Sequence, residues 1–188
     1  MQLIKDYFEK LTPISDEEAD IFSSMMERKT FKKNKLILTA GEIENYIYFI
    51  ESGIVRFWAE KDEKEISSAF IFEDSFFSSY PSFLTQKGSM WNIQTITPTV
   101  LWCLSYSNLQ QIYKQISVGE RLGRLIAERL ATMLFYREAS LLMESPEERY
   151  LKLFSEHPRF IQSIPLKFLA SYIGVTPQAL SRIRKRIS

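Results

Sequence analysis

The chain carries a single cysteine, Cys103, in 188 residues, which excludes an internal disulfide and any centre built on several thiolates, iron–sulfur sensing among them. It carries a single histidine, His157, so a metal site of two or three imidazoles is also out of reach, and no metal or other cofactor is expected. No apolar run approaches the roughly 18–20 residues that a membrane-spanning helix needs. No charged-then-apolar leader opens the chain at Met1, so the expected location is the cytoplasm, with no membrane partner. Cys103 sits in the apolar run Val100–Leu104 and reads as buried packing rather than a redox sensor. His157, just before Pro158, reads as a helix-end or surface residue.

Charge is nearly balanced at +1 over the whole chain, but it is not evenly placed. Residues 145–188 hold eight Lys or Arg against three Glu, a net +5, which leaves sixteen basic and twenty acidic side chains, a net −4, for the other 144 residues. A positive field is therefore concentrated at one end, as in proteins that meet a polyanion there.

That end also carries the most specific pattern in the chain, PLKFLASYIGVTPQALSRIRKR over residues 165–186. Leu166, Leu169, Ala170 and Ile173 recur at helical spacing, and Gly174 offers the positive φ at which a helix can stop. Val175 fills a corner, Thr176 is a good N-cap, and Pro177 suits the first helical position. The pattern predicts a helix-turn-helix whose second helix turns Ala179, Leu180 and Ile183 inward. Gln178, Ser181, Arg182 and Lys185 then point outward, as donors and cations suited to base edges and phosphates. The plainer alternative is an amphipathic hairpin with a solvated basic face.

Upstream, the first 30 residues read as helical, with Ser15-Asp16-Glu17-Glu18 forming a capping box ahead of Ile21, Phe22, Met25 and Met26. From Phe31 the pattern changes to short segments rich in β-branched and aromatic residues: 35–38, 46–51, 54–60, 65–72, 91–96 and 100–104. Turn residues separate them, including Ala40-Gly41 and Ser52-Gly53, so an antiparallel barrel or sandwich is expected. Helical period returns at Ser107-Asn108-Leu109-Gln110, another capping-box pattern, and continues through a long segment over 118–143. Leu122, Leu125, Ile126, Leu130, Met133, Leu134, Leu141 and Leu142 make a broad apolar stripe there, suited to packing on the β unit or to pairing with the same helix of a second chain. Ser145-Pro146-Glu147-Glu148 ends that helix and starts another. The expected class is α+β, with an antiparallel β unit and its N-terminal helices over 1–117, a long helix over 118–143 and a helix-turn-helix domain over 145–188.

This order of parts resembles the Crp/Fnr superfamily of bacterial transcription regulators. The resemblance rests on Tyr48–Arg56 as a glycine-turn strand pair, on Glu148-Arg149-Tyr150, and on Ala170 through Arg186. It implies that these parts are a jelly-roll-like β-roll sensor domain, a dimerisation helix and a winged-helix-like DNA-binding domain. It further implies a homodimer that binds double-stranded DNA, with RNA polymerase and a small-molecule effector as further partners and no catalytic activity. It places Gln178, Ser181 and Arg182 where the family reads bases, and Thr176 and Lys185 where phosphate contacts are usual.

The chain departs from that family in its roll. Members that bind cyclic nucleotides have a Gly-Glu pair opening a short phosphate-binding helix, followed by an Arg and a small hydroxyl residue. Here the stretch reads Phe72–Tyr80, with no glycine between Gly53 and Gly88 and no arginine between Arg56 and Arg121. Only Lys87 is near, and a point cation is a poor substitute for the guanidinium fork. The effector is therefore unknown and not expected to be a cyclic nucleotide. Ser75, Phe76, Phe77, Tyr80 and Trp91, with Phe83, are candidates for an apolar effector pocket, or else are the core of the roll. The chain also stops two residues past Arg186, where many relatives continue into a wing. A second class of function stays open from sequence: a sensing module whose C-terminal hairpin docks a protein partner.

Overall fold

The computed structural model describes residues 2–187. Helices α1 (Gln2–Glu9) and α2 (Asp16–Ser24) precede strands β1 (Met26–Phe31), β2 (Leu36–Leu38), β3 (Tyr46–Ser52), β4 (Val55–Lys61), β5 (Lys64–Ile71), β6 (Phe76–Phe77), β7 (Asn92–Thr95) and β8 (Thr99–Ser105). A short helix, α3 (Tyr80–Thr85), lies between β6 and β7. The helices α4 (Tyr106–Gln115), α5 (Gly119–Met143), α6 (Pro146–Glu156), α7 (Pro158–Ser163), α8 (Leu166–Ile173) and α9 (Pro177–Ile187) follow. The strands form two sheets in the orders β1-β8-β3-β6 and β2-β7-β4-β5, so the class is α+β with a jelly-roll-like β portion.

The chain divides into two compact units. One comprises residues 1–57 and 70–129; the other comprises residues 58–69 and 130–188. The long helix α5 is thus shared between them, and the outer part of the β4–β5 hairpin groups with the C-terminal helices.

In the first unit, alternation along β3 decides the packing. Phe49 and its neighbour Phe76 face the N-terminal helices: Phe76 lies 4.9 Å from Phe49 and 5.6 Å, stacked, from Phe8, which in turn meets Phe22 edge-on at 4.6 Å. Tyr48 and Phe77 take the other face, stacked at 4.9 Å, with Phe57 of the second sheet edge-on to Phe77 at 5.9 Å. Both faces of β3 are covered, which is why YIYFI reads as a continuous apolar run rather than an alternation.

Several expectations about local structure need correction. Helix α2 ends at Ser24, and Met26–Phe31 is a strand. Its Glu27, Arg28 and Lys29 hide the β signal, and the strand exists because β8 pairs with it from Met26↔Leu104 to Phe31↔Thr99. Arg28 adds a two-pronged bond to Glu51, at 2.8 and 2.6 Å, which Trp102 shares through its indole N–H at 2.8 Å. These bonds hold the Glu51 carboxyl below the usual range. Helix α4 is capped by Ser105, which accepts from the Asn108 N–H at 3.2 Å, and not by Ser107. The capping boxes read at Ser15 and Ser145 do form, with Glu18 and Glu148.

The second unit is organised by a buried arginine on α6. Arg149 donates from Nε to the Ile173 carbonyl at 2.9 Å, and from Nη1 to the Ser140 carbonyl at 3.2 Å and to the Glu144 carbonyl. All three acceptors lie at helix C-termini, where the dipole favours a cation; the Ser140 carbonyl also accepts from the Glu144 N–H at 3.1 Å. Around it Tyr150, Leu153, Ile164, Leu169, Ala170, Ile173, Leu180 and Ile183 form the buried core of this unit.

Three measurements check this fold. Gly53 has φ +101°, and a Cβ there would lie 2.5 Å from Thr99 Oγ1 and 2.6 Å from the Pro98 carbonyl oxygen, so Gly53→Ala should cost about 1–3 kcal/mol in backbone strain alone. A denaturation midpoint equal to wild type would show that this turn is not as described. Burial pushes the Cys103 thiol up to about 12, so a thiol reagent at neutral pH should label it only on unfolding; rapid labelling of the native protein would contradict its position. Arg149→Met should lower the stability of the second unit by roughly 2–4 kcal/mol because it leaves buried carbonyls unpaired, and hydrogen exchange in α8 is the readout. Unchanged protection there would dismiss the role given to Arg149.

Candidate nucleic-acid interface

Helices α8 and α9 meet across the turn Gly174-Val175-Thr176. Gly174 has φ +88°, and its N–H and that of Val175 both reach the Ala170 carbonyl at 3.0 Å, closing α8 in a left-handed cap. The Thr176 hydroxyl accepts from the Ala179 N–H at 3.2 Å, and Pro177 occupies the first helical position. Leu180 and Ile183 are buried, which pins one face of α9 against α8. The opposite face is left with Thr176, Gln178, Arg182 and Lys185 exposed and Ser181 half-buried, so the structure brings together all five residues expected to contact DNA.

The electrostatics of this face are those of an unsatisfied cation cluster. Among the described residues neither Arg182 nor Lys185 has a carboxylate partner, whereas Arg186 is engaged with Glu147 at 2.8 Å. Beside α9 an open groove of about 710 Å³ runs to the start of α6, lined by Ser145, Pro146, Val175, Ala179 and Ile183 together with the basic side chains.

What orients this pair was not visible in the sequence pattern. The last turn of α8 is gripped at three consecutive residues. Ser171 Oγ accepts from the Ser67 N–H at 2.8 Å and donates to the Glu65 carbonyl at 2.9 Å. The Arg137 guanidinium of α5 lies 3.7 Å over the Tyr172 ring and donates to the Tyr172 carbonyl, while burial lowers its pKa from the ordinary value. Arg149 takes the Ile173 carbonyl. A lone Ser or Arg carries no motif, so only the Glu148-Arg149-Tyr150 match pointed towards any part of this arrangement.

The residues expected to line an effector pocket are not gathered in one place. Phe76 and Phe77 face opposite sides of their strand. Ser75 pairs through its carbonyl with the Ile50 N–H at 3.0 Å, and the Trp91 N–H is bonded to Ser89 Oγ at 3.0 Å. Phe76 and Tyr80 share a void of about 30 Å³ with Phe22, Leu104 and Tyr113, room for no more than a water-sized molecule.

A carboxylate was overlooked in this region. Glu44 is 1% exposed; its Oε1 accepts from the Tyr46 N–H at 2.9 Å and the Tyr48 hydroxyl at 3.0 Å, and its own N–H donates to Ser82 Oγ at 3.0 Å. The carboxylate is also bonded by the backbone of Ser79, at the start of α3, and burial pushes its pKa up. Ser79 and Ser89 close the same polar cluster through their hydroxyls at 2.7 Å. Arg56, also 1% exposed, is bonded to Gln94 at 2.9 Å. Among the described residues no group of three or more His, Cys, Asp or Glu side chains is placed to hold a metal ion, and no helix is long and apolar enough to cross a membrane.

Residues 28–116 match the protein family described as Cyclic nucleotide-binding domain. No curated protein matches the chain. Among solved structures, it is similar to the c-di-GMP-responsive global regulator CLP of Xanthomonas campestris at 19% identity, over 92% of this chain and 91% of that one, with a TM-score of 0.73. FixK2 of Bradyrhizobium japonicum is similar at 18% identity over 86% and 84%, also with a TM-score of 0.73. The catabolite activator protein of Thermus thermophilus is similar at 19% identity over 94% and 85%, with a TM-score of 0.61. At these identities the likeness to each is one of fold. Residues 28–116 are thus similar to a cyclic nucleotide-binding domain, in a chain whose fold is similar to that of these solved regulators over most of its length.

Proposed function

We propose that this protein is a sequence-specific, double-stranded-DNA-binding transcription regulator that acts as a homodimer and has no catalytic role. The observation that carries the reading is the outer face of α9. Gln178, Arg182 and Lys185 stand exposed on a helix whose other face is locked by Leu180 and Ile183 and whose start is capped by Thr176. A helix in that setting fits a major groove, with Arg182 suited to guanine, Gln178 to adenine, and Thr176 and Lys185 to phosphates. Ser181 sits between the two sets.

Dimerisation is supported by α5. Its 25 residues span about 37 Å at helical rise. Leu122 is buried in the first unit, but Phe135, Tyr136, Leu142 and Met143 are between 71% and 84% exposed and Met133, Leu134 and Leu141 are exposed with them. An apolar surface of that extent on one helix calls for a covering partner, and a second α5 in a two-fold arrangement supplies an equally apolar one. Two α9 helices presented this way would read half-sites about one helical turn apart.

The effector is not a cyclic nucleotide in this reading. In the family resembled, the cyclic phosphate is received at the start of the short helix and neutralised by an arginine. Here the backbone of Ser79, at that start, is already bonded to the Glu44 carboxylate, and the neighbouring hydroxyls of Ser79, Ser82 and Ser89 bond within the protein. Any effector of the roll, and any contact with RNA polymerase in the cytoplasm, belongs to chemistry other than this.

The test is a duplex selected from a random-sequence pool by the purified protein, followed by binding measurements at two salt concentrations. Arg182→Ala should cost roughly 1–3 kcal/mol on the selected duplex and little on random DNA, relaxing base preference. Lys185→Ala should weaken both alike and reduce the salt slope by about one. Equal losses on both duplexes for Arg182→Ala would reject its base-reading role, and no binding by the wild type at low salt would reject the function.

A further inference from the structure

The β4–β5 hairpin ends on an edge. Strand β5 is outermost in the order β2-β7-β4-β5, so one row of its amides and carbonyls has no neighbouring strand. In an antiparallel ladder, the N–H and C=O groups that face one edge come from alternate residues. Glu65 and Ser67 are such a pair, and both are taken by a single side-chain oxygen. Ser171 Oγ accepts from the Ser67 N–H at 2.8 Å while donating to the Glu65 carbonyl at 2.9 Å. A hydroxyl does what a neighbouring strand's backbone would have done, and among short side chains only Ser and Thr can donate and accept from one atom.

The contact is not an incidental surface bond. Ser67 is 2% exposed, and residues 58–69 belong to the same compact unit as residues 130–188. Ser171 is also the first of the three gripped residues on α8, followed by Tyr172, held by Arg137, and Ile173, held by Arg149. While all three bonds are made, the outer face of α9 remains exposed, so the clamped arrangement leaves the proposed DNA-contacting groups accessible.

We infer that Ser171 is a positioning residue for DNA binding: its hydroxyl docks the edge of β5 onto the last turn of α8 and preorganises the helix-turn-helix for a duplex. The inference rests on the DNA-binding reading above and extends it to a residue that touches no DNA. With the hydroxyl in place the helix pair is held in one orientation. Without it, the pair samples others, and the apparent affinity falls in proportion to the fraction still correctly set. Because coupling between two binding events is reciprocal, DNA must in turn strengthen the bond to β5.

The experiment uses the full-length chain, the selected duplex, and amide hydrogen exchange at Ser67. Ser171→Ala should speed exchange at the Ser67 amide and weaken binding to the selected duplex about tenfold, as the competent fraction falls to about one tenth, with the salt slope unchanged because no phosphate contact is lost. Ser171→Thr, which restores the hydroxyl, should recover both. Saturating wild type with duplex should slow Ser67 exchange further. The inference is overturned if Ser171→Ala exchanges faster at Ser67 yet binds DNA as wild type does, or if Ser67 exchange ignores both the substitution and the duplex. If wild type binds no duplex at low salt, both readings fall, but the exchange difference between wild type and Ser171→Ala would persist and show that the bond itself is real.

Discussion

Much of the second unit depends on how the carbonyls at the end of α8 are satisfied. A helix end leaves four carbonyls without intrahelical partners, and burying them unpaired costs more than most single contacts return. Here Gly174 turns the chain so that its N–H and that of Val175 reach back to Ala170, Arg137 takes Tyr172, and Arg149 takes Ile173. The solution brings three elements to one turn. It also fixes the direction in which the chain leaves α8, and hence where α9 lies. A cation buried against carbonyls suits this setting, since two helix dipoles share the task of offsetting its desolvation.

The units described by contacts make physical sense of the long helix. Its first turns are anchored by Leu122 in the aromatic core beneath α1 and α2, whereas Arg137 near its other end is spent on α8. Between these anchors the helix changes character: Arg124 and Glu128 form an exposed ion pair at 2.6 Å, whereas residues 130–136 are almost wholly apolar. The sequence shows the same feature as a stripe too broad for one packing face.

How much could be read beforehand differs by kind of interaction. Caps, turns and inward–outward alternation depend on neighbours in sequence, so Ser15, Ser145, Gly174, Thr176 and the outward set on α9 were all legible. Strand β1 was not, because MERKTF is stabilised by cross-strand partners on β8 that lie 68 to 78 residues away. The cap of α4 slipped by two residues because Ser105 and Ser107 are chemically equivalent and only the end of β8 chooses between them. Phe76 and Phe77 looked like members of one pocket because composition carries no face. The pleat places one under the helices and the other inside the roll. Glu44 was passed over for the opposite reason: a carboxylate in a polar loop looks solvated until the fold buries it.

The charge separation between the two ends acquires a reason once the α9 face is in view. A chain with a net charge of +1 would attract DNA weakly if its charges were mixed. With +5 confined to residues 145–188 and −4 elsewhere, positive potential is concentrated on the part of the chain that carries α9. Within about 8–10 Å, the screening distance at ordinary salt, the individual cations take over. Of these, Arg186 is occupied by Glu147, while Arg182 and Lys185 are not paired with any described carboxylate. In the proposed DNA-binding role, attraction would bring the duplex to α9, and the mounting of that helix would orient it. An arginine reads guanine through two bonds only when its helix is held in register, so the grip on the last turn of α8 and the free guanidinium of Arg182 are two halves of one requirement.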